Sequence, residues 1–511
     1  MVQTSTTSLN AGRRTADLAA LAAGELVDVL VVGLGVTGAG VALEAASRGL
    51  TVAAVDAHDL AFGTSRWSSK LVHGGLRYLA RLQVGVAMES ARERGVLLEH
   101  TAPHLTRALP MLLPLASYVD TNTARIYRAG IGAGDLLRRA ARTPAAILPR
   151  PRRVSAAEAR RLVPALRPDS LTGGYLHHDG QVVDDARLVI ALARTAAGLG
   201  ARVLTYARVT ELTGDGAQLR DERTGDRFEI RARAVINATG VWADTLVDGV
   251  RLRPSRGTHL VLRSATLGDP TAALNIPVPG SANRLVFALP QANGLIYVGI
   301  TDEPVDGPVE DEPTPPEADI QFLLDVLATA VPVGRDDVIG AYAGLRPLLD
   351  TGGDRTADVS RRHALFTSPD QVTTIVGGKL TTYRQMGQDA VDAAVRLRGL
   401  TAAASRTRRL PLVGAAPRSA LAGIDAPRRL VARYGTEAPA VQALTREDPR
   451  LAEPVAPGVD TTGAELLWGV RQEGALCVAD LIDRRCRVSL VPLDGHSALT
   501  MAEAVLAEYD A

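Results

Sequence analysis

Six residues near the N-terminus carry the first chemical signal. Gly33-Leu34-Gly35-Val36-Thr37-Gly38 reads G-x-G-x-x-G, and an acid, Asp56, follows at the end of the next apolar run. In this pattern Gly33 permits a tight turn, Gly35 lets backbone approach a pyrophosphate, and Gly38 lets a helix pack closely on a strand. The helix that follows offers free N–H groups and the positive end of its dipole to a diphosphate. Asp56 is spaced to accept hydrogen bonds from a ribose. An acid there disfavours a 2′-phosphate, which argues against NADP. The fingerprint calls for a dinucleotide and leaves FAD and NAD both open.

A second polar, glycine-containing segment, TSRWSSKLVHGGLRYLA, covers 64–80. Hydroxyls at Thr64, Ser65, Ser68 and Ser69 suit phosphate oxygens. Gly74 and Gly75 allow close approach to a flat ring, and Arg77 can pair with an anion. Lysine adds a third clue. Of 57 basic residues only Lys70 and Lys379 are lysines, and both fall in glycine-rich stretches. Where arginine serves almost everywhere else, a surviving lysine suggests a place that needs a compact ammonium rather than a planar fork.

These groups need a frame. Residues 28–56 read as strand, tight turn, helix and strand, with Val29 to Val32 apolar enough for a buried parallel strand. Helices are expected over 83–100, 186–199 and 317–330, and strands over 201–212 and 228–238. Three apolar stretches broken by Gly and Pro, 256–263, 284–289 and 295–300, suggest an antiparallel sheet. Apolar runs at 341–348 and 372–376 lead into Gly377-Gly378 and a further helix to about 400. After a polar linker the remainder is mostly helical. The expected fold class is α/β. It has a Rossmann-like dinucleotide domain split in sequence, an antiparallel-sheet substrate domain and a helical C-terminal domain. The dinucleotide domain takes 27–100, 170–245 and 335–400. The substrate and membrane-facing domain takes 101–169 and 246–334, and the helical domain 401–511. Residues 1–26 are expected to be a mobile leader. Their Arg13-Arg14 pair is followed by an apolar stretch too short for an export signal.

Composition narrows the function classes. At 511 residues, two or three domains are expected. A net charge of +1 gives no overall pull toward nucleic acid, and Cys477 and Cys486 form neither a disulfide framework nor a metal motif. No metal is expected. The charge is uneven: 101–167 holds twelve arginines against three acids, interleaved with Met111 to Leu115 and Ile126-Tyr127. With few aromatics and no RNA-binding motif, an anionic lipid surface is the favoured partner, and the stretch around Met111 to Leu115 is the candidate for entering the interface.

The block SSKLVHGGLRYL (68–79) closely resembles the signature of FAD-dependent glycerol-3-phosphate dehydrogenases, within the D-amino-acid-oxidase-like flavoproteins. VDDAR (183–187), INATGVWAD (236–244), RGTHLVL (256–262), YAGLRPL (342–348), GGKLTTYR (377–384) and VADLIDRR (478–485) are similar to that family in the same order. The resemblance runs from about residue 27 to the end. It implies FAD, and oxidation of sn-glycerol 3-phosphate to dihydroxyacetone phosphate by hydride transfer from C2. It also implies peripheral attachment to the inner face of the cell membrane from the cytoplasm, with electrons passed to a quinone. A homodimer is compatible with it. An oxidase that passes electrons to oxygen shares nearly all these motifs. So, more distantly, do other amine or hydroxy-acid oxidising flavoenzymes.

The resemblance also distributes roles. Arg346 is the first candidate for the substrate phosphate, followed by Arg77 and Lys379, with Tyr78 and Thr381 adding hydroxyls. His259 and His73 are the candidate bases, His259 first. Beyond Gly33, Gly35, Gly38 and Asp56, the cofactor is expected to touch Thr64, Ser65, Ser68, Lys70, His73, Gly74, Gly75 and Gly240. Gly378, Lys379, Leu380 and Thr381 complete that set, at a helix N-terminal end that favours charge developing on a reduced flavin. Asp56 departs from the family's more frequent Glu, and Trp67 is bulky in a loop of small residues.

Overall fold

The computed structural model describes residues 4–75, 83–281, 284–350 and 363–509. Strands are numbered in chain order. The first sheet is built on the fingerprint. β1 (Leu26–Val32) pairs in parallel with β2 (Val52–Val55) on one side and β10 (Arg227–Asn237) on the other. β7 (Arg202–Leu204) extends the sheet beyond β2, and β18 (Thr373–Val376) beyond β10. β17 (Ala364–Thr367) closes that edge antiparallel to β18, and the hairpin of β8 (Ala207–Thr213) and β9 (Gly216–Asp221) joins through β10. Val29, Leu30 and Val31 are fully buried, because helices cover the sheet and leave no solvent face for alternation. The helix Val36–Ser47 is almost wholly buried between the helices Asp185–Gly198 and Tyr383–Arg398. Its small side chains make that packing sterically open.

The second sheet is mostly antiparallel. Its order is β15 (Glu303–Pro304), β11 (Ser255–Arg263), β14 (Leu295–Gly299), β13 (Leu285–Pro290), β12 (Ala273–Pro277), β4 (Thr106–Leu115), β6 (Gly173–Val182) and β3 (Leu71–Val72). β16 (Gly340–Arg346) pairs with β11, and β5 (Arg152–Ser155) with β6. Leu260, Leu262, Leu274, Ile296 and Val298 pack on one face against the helix Glu317–Ala328. On the other face Gly257, Asn275, Leu285 and Phe287 reach the cavity described below, while Val261 and Tyr297 pack against Tyr342 and Leu490. The C-terminal unit is helical around Tyr434, Leu466, Leu467 and Trp468.

Several expectations are corrected. Residues 4–26 are not a loose leader. The helix Ala11–Ala22 is capped by Asn10, Arg14 makes a two-pronged ion pair with Asp221, and Arg13 donates to Ala197 O and Ala201 O. Leu9 exchanges backbone hydrogen bonds with Gln472 and Gly474, tying this end to the C-terminal unit. The split between domains also differs. β3, β6 and β16 belong to the second sheet, although 71–72, 173–182 and 340–346 were assigned to the dinucleotide domain. Finally, Met111 to Leu115 cannot insert into lipid. It is the end of β4, hydrogen-bonded between β6 and β12, and Leu112 and Leu113 are fully buried. Among the described residues no helix is long and apolar enough to cross a membrane.

Candidate active site

A cavity of about 1460 Å³ lies between the carboxyl ends of the first sheet's strands and one face of the second sheet. A usual small-molecule pocket holds roughly 300–1,000 Å³, so this one is sized for more than one small ligand. Four adjacent strands of the first sheet, β2, β1, β10 and β18, deliver Asp56, Gly33, Gly240 and Gly378 to its wall. Three strand spacings span roughly 14 Å, so the wall suits a long ligand lying across the strand ends. The second sheet contributes alternate residues of single strands: His177 and Asp179 from β6, Leu285 and Phe287 from β13, Gly344 and Arg346 from β16.

The fingerprint turn is sterically fixed. Gly33 has φ +99, and a Cβ there would lie 2.7 Å from Ala238 O. A Cβ on Gly38 would fall 1.7 Å from Gly33 O, which leaves no room for any side chain. Asp56 accepts from the backbone N–H of Leu34 at 2.6 Å and of His58 at 2.9 Å. Burial nevertheless pushes its pKa up to about 6, the two N–H groups offsetting only part of that cost. A ribose hydroxyl donating to this carboxylate would offset more of that cost. Ser65 Oγ accepts from Val36 N at the start of the fingerprint helix. At the far end, Thr381 Oγ1 is buried, lines the cavity and has no protein partner among the described residues. An unpaired buried hydroxyl on a cavity wall is where a polar ligand atom belongs. The wall as a whole fits FAD.

Of the residues expected to touch cofactor, Gly33, Gly35, Asp56, Thr64, Ser65, Ser68, His73, Gly240, Gly378, Lys379, Leu380 and Thr381 line the cavity. Gly38 lies behind it, as its packing role requires. Gly74 also lies behind. Its N–H donates to Asp179, and a Cβ there would lie 2.3 Å from the Arg94 guanidinium. Gly75, with φ +79, likewise does not reach the wall. Lys70 is corrected. Its three ammonium protons are matched by Arg66 O at 2.9 Å, Ser68 O at 3.2 Å and Asp185 Oδ2 at 2.9 Å, all behind the wall. Burial lowers its pKa to about 8, against the pull of Asp185. Arg77 and Tyr78 lie outside the described residues.

Among the substrate candidates, Arg346 projects from β16 into the cavity. It donates to Ser255 Oγ at 3.1 Å, Asp302 Oδ1 at 3.2 Å and Thr301 O at 2.9 Å, which fixes its fork. Lys379 reaches the wall and donates to Ser90 Oγ at 2.5 Å. The two histidines separate. His73 lines the cavity, close enough to Asp179 to act on its charge. Burial works against the Asp179 carboxylate, but Arg94 at 2.6 Å outweighs it and holds the pKa low. His259 is fully buried and does not line the cavity. Its Nε2 meets Ser69 Oγ at 2.8 Å, and its ring stacks on Tyr342 at 4.8 Å. Burial, then Lys70 and Arg346, push its pKa well below the usual value. Its imidazole lies behind the wall and meets the cavity through Ser69, which lines it.

Sequence reasoning missed several wall residues. His58 stacks on Phe62 at 3.8 Å beside Asp56, and Arg208 approaches from β8. His58 sits two residues after Asp56, a spacing that was available as a signal; Arg208 is one arginine among many. Tyr127 OH meets His177 Nδ1 at 3.1 Å and accepts from Asn275 Nδ2, joining helix Thr121–Ala140 to the second sheet. Trp67 packs between Arg66, Arg487 and Tyr342.

Comparison with known proteins gives a consistent assignment. Residues 28–384 match the FAD dependent oxidoreductase family, and 405–510 match the C-terminal domain of alpha-glycerophosphate oxidase. The chain is 54% identical to glycerol-3-phosphate dehydrogenase 1 of Mycobacterium tuberculosis, over 99% of this chain and all of the relative. It is 35% identical to the mitochondrial glycerol-3-phosphate dehydrogenase of Mus musculus, over 91% of this chain and 68% of that one. The structure of glycerol-3-phosphate dehydrogenase from Bacillus halodurans complexed with FAD superposes with a TM-score of 0.75. It has 27% identity and covers 98% of this chain and 95% of that one.

Proposed function

The chain belongs to the FAD-dependent glycerol-3-phosphate dehydrogenase family, and we propose that it oxidises sn-glycerol 3-phosphate to dihydroxyacetone phosphate and passes the electrons to a membrane quinone. The observation that carries this reading is the position of Arg346, a fork fixed by three acceptors on the wall opposite the strand ends that suit FAD. A planar guanidinium pairs with a phosphate dianion in two-pronged fashion. Lys379 brings a second cation to the same cavity.

Bound FAD supplies the two-electron acceptor for the hydride that leaves C2. Asp56 would hold its adenosine ribose, the fingerprint turn its diphosphate, and Gly378 to Thr381 its ring end. The chain must also remove the proton of the C2 hydroxyl. His73 is the base in this reading, since it reaches the cavity beside the Asp179 carboxylate. Ser69, oriented by His259, supplies a hydroxyl to hold the substrate oxygen in line with that transfer. Aromatic and apolar residues around the cavity limit water at C2.

Membrane attachment is the second part of the reading. With Met111 to Leu115 buried, the helix Thr121–Ala140 remains as the docking element. Ile126 and Leu136 are exposed on it, beside exposed Arg125, Arg128 and Arg139. Each basic residue near an anionic leaflet contributes about 1 kcal/mol. The C-terminal match to an oxidase family favours one alternative, oxygen as acceptor and hydrogen peroxide as product.

Anaerobic addition of sn-glycerol 3-phosphate to the holoenzyme tests the substrate. Bleaching of the oxidised flavin band by this compound, and not by glycerol, lactate or amino acids, is expected. Absence of bleaching overturns the assignment. Reoxidation by a quinone analogue faster than by oxygen supports the dehydrogenase; the reverse order supports the oxidase.

A further inference from the structure

The loop from Asp56 to Ser69 forms the adenosine and diphosphate side of the cavity wall. Asp56, His58, Phe62, Thr64, Ser65 and Trp67 all face the ligand space from it. Its only regular element is a single 3-10 turn, Thr64–Arg66. A loop this long does not hold its geometry alone, so its anchors matter.

Leu34, Leu345, Asp185 and Glu312 hold parts of the loop, and its outer side is anchored by the C-terminal unit. Asp59 is fully buried at the centre of the loop's outer side. It accepts from Arg484 Nε at 2.7 Å, and from Arg485 Nη1 at 2.6 Å and Nη2 at 2.9 Å. Arg485 is itself fixed by Glu473 O, and Arg484 by Asp480 at 2.6 Å. Further along the loop, Arg487 donates to Arg66 O and lies over the Trp67 ring at 5.1 Å. Asp480 also accepts from the hydroxyl of Tyr206, whose N–H donates to His58 O. Two residues on, Arg208 lines the cavity. The turn Asp480–Arg487 thus grips the back of the loop at two points and its neighbour at a third. Yet no residue beyond Thr381 lines the cavity among the described residues. The C-terminal unit touches the wall only from behind.

We propose that Arg484, Arg485 and Arg487 are positioning residues for FAD: the C-terminal unit preorganises the adenosine half of the site by clamping the 56–69 loop. Linkage then makes the coupling reciprocal. FAD tightens docking of the C-terminal unit by the factor with which docking tightens FAD. The inference rests on FAD as the cofactor and is independent of the substrate and of the final electron acceptor.

The test measures FAD affinity by titrating apoenzyme, with the thermal midpoint of the apoprotein recorded beside it. The variants are Asp59→Asn and Arg487→Lys. The control is Glu437→Gln, which loosens another buried contact of the same unit, the pair with Arg194 at 2.7 Å, away from the loop. Asp59→Asn and Arg487→Lys are expected to weaken FAD about tenfold, within the usual range of site-to-site coupling. Glu437→Gln is expected to lower the midpoint and leave FAD affinity unchanged. Because an uncompensated arginine pair can prevent folding in Asp59→Asn, Arg487→Lys carries the test if that variant is insoluble. Unchanged FAD affinity in a folded loop variant overturns the proposal. So does an equal loss of affinity in Glu437→Gln, which would reduce the clamp to general stability. A chain that binds FAD as described but is not reduced by sn-glycerol 3-phosphate would sink the proposed reaction and leave the clamp standing.

Discussion

At the residue scale, Asp56 has the most direct consequence for ligand binding. In the apoprotein, burial raises its pKa from 3.8 to about 6. An acid with a raised folded pKa destabilises the fold as pH climbs from the unfolded value through the folded one. That cost is absent below about pH 4, complete above about pH 6, and on the order of 3 kcal/mol at most. A ribose hydroxyl that donates to Asp56 favours the ionised form, so FAD binding must release part of that proton. FAD affinity of the apoenzyme is therefore expected to rise between about pH 4 and pH 6 and then level off. Asp56→Asn should bind more weakly and lose the slope. A slope that survives in Asp56→Asn would assign it to another group. Residue types announced Asp56 because its neighbours in sequence define its place. Lys70, expected at the cofactor, directs its ammonium to three protein acceptors instead. His259 shows the limit of such reading: it sits on the expected sheet and on the same strand face as Gly257, which lines the cavity, yet Ser69 and Tyr342 cover its ring, and one sequence cannot say which side chains from distant segments will do so.

At the scale of elements, the hydrophobic periods made the fingerprint strand, its helix and the later helices legible. β4 was not, because Pro110 and Pro114 read as loop punctuation while here they occupy a paired strand. Nor could sequence tell which sheet β3, β6 and β16 would join, since their partners lie far away in the chain. One packing detail between elements is testable. The helices Val36–Ser47 and Tyr383–Arg398 cross at two glycines. A Cβ on Gly387 would lie 2.8 Å from Gly40 O, and one on Gly40 would lie 2.9 Å from the Tyr383 ring. The second helix begins just after Leu380 and Thr381, which line the cavity. Gly387→Ala must therefore separate the helices and shift that end of the wall. A loss of about 1–3 kcal/mol in stability is expected from the overpacking, together with weaker FAD binding, by urea titration and FAD titration. Unchanged values in both would mean that the helices part without moving Leu380 and Thr381.

At the scale of the whole molecule, the C-terminal unit and the first-sheet domain are joined by buried charge. Arg187 pairs with Glu473, Arg194 with Glu437, and Arg484 and Arg485 with Asp59, each pair linking the C-terminal unit to the first-sheet domain. Such pairs contribute little net stability over apolar packing, but breaking one leaves a charge buried without its partner, at a cost of about 3–5 kcal/mol. Partial detachment of the C-terminal unit that leaves either partner of a pair buried is thus disfavoured, and the first-sheet domain and C-terminal unit should unfold together. The three tryptophans allow this to be seen. Trp67 and Trp242 line the cavity, while Trp468 sits in the C-terminal core. The difference in fluorescence between the wild type and Trp468→Phe isolates the C-terminal signal, and release of bound flavin reports the cavity. In urea the two midpoints are expected to coincide, and added FAD should move both upward together. An early Trp468 transition with flavin still bound would mean that the C-terminal unit is an independent module. The buried ion pairs would then fix its orientation without tying its folding to the site.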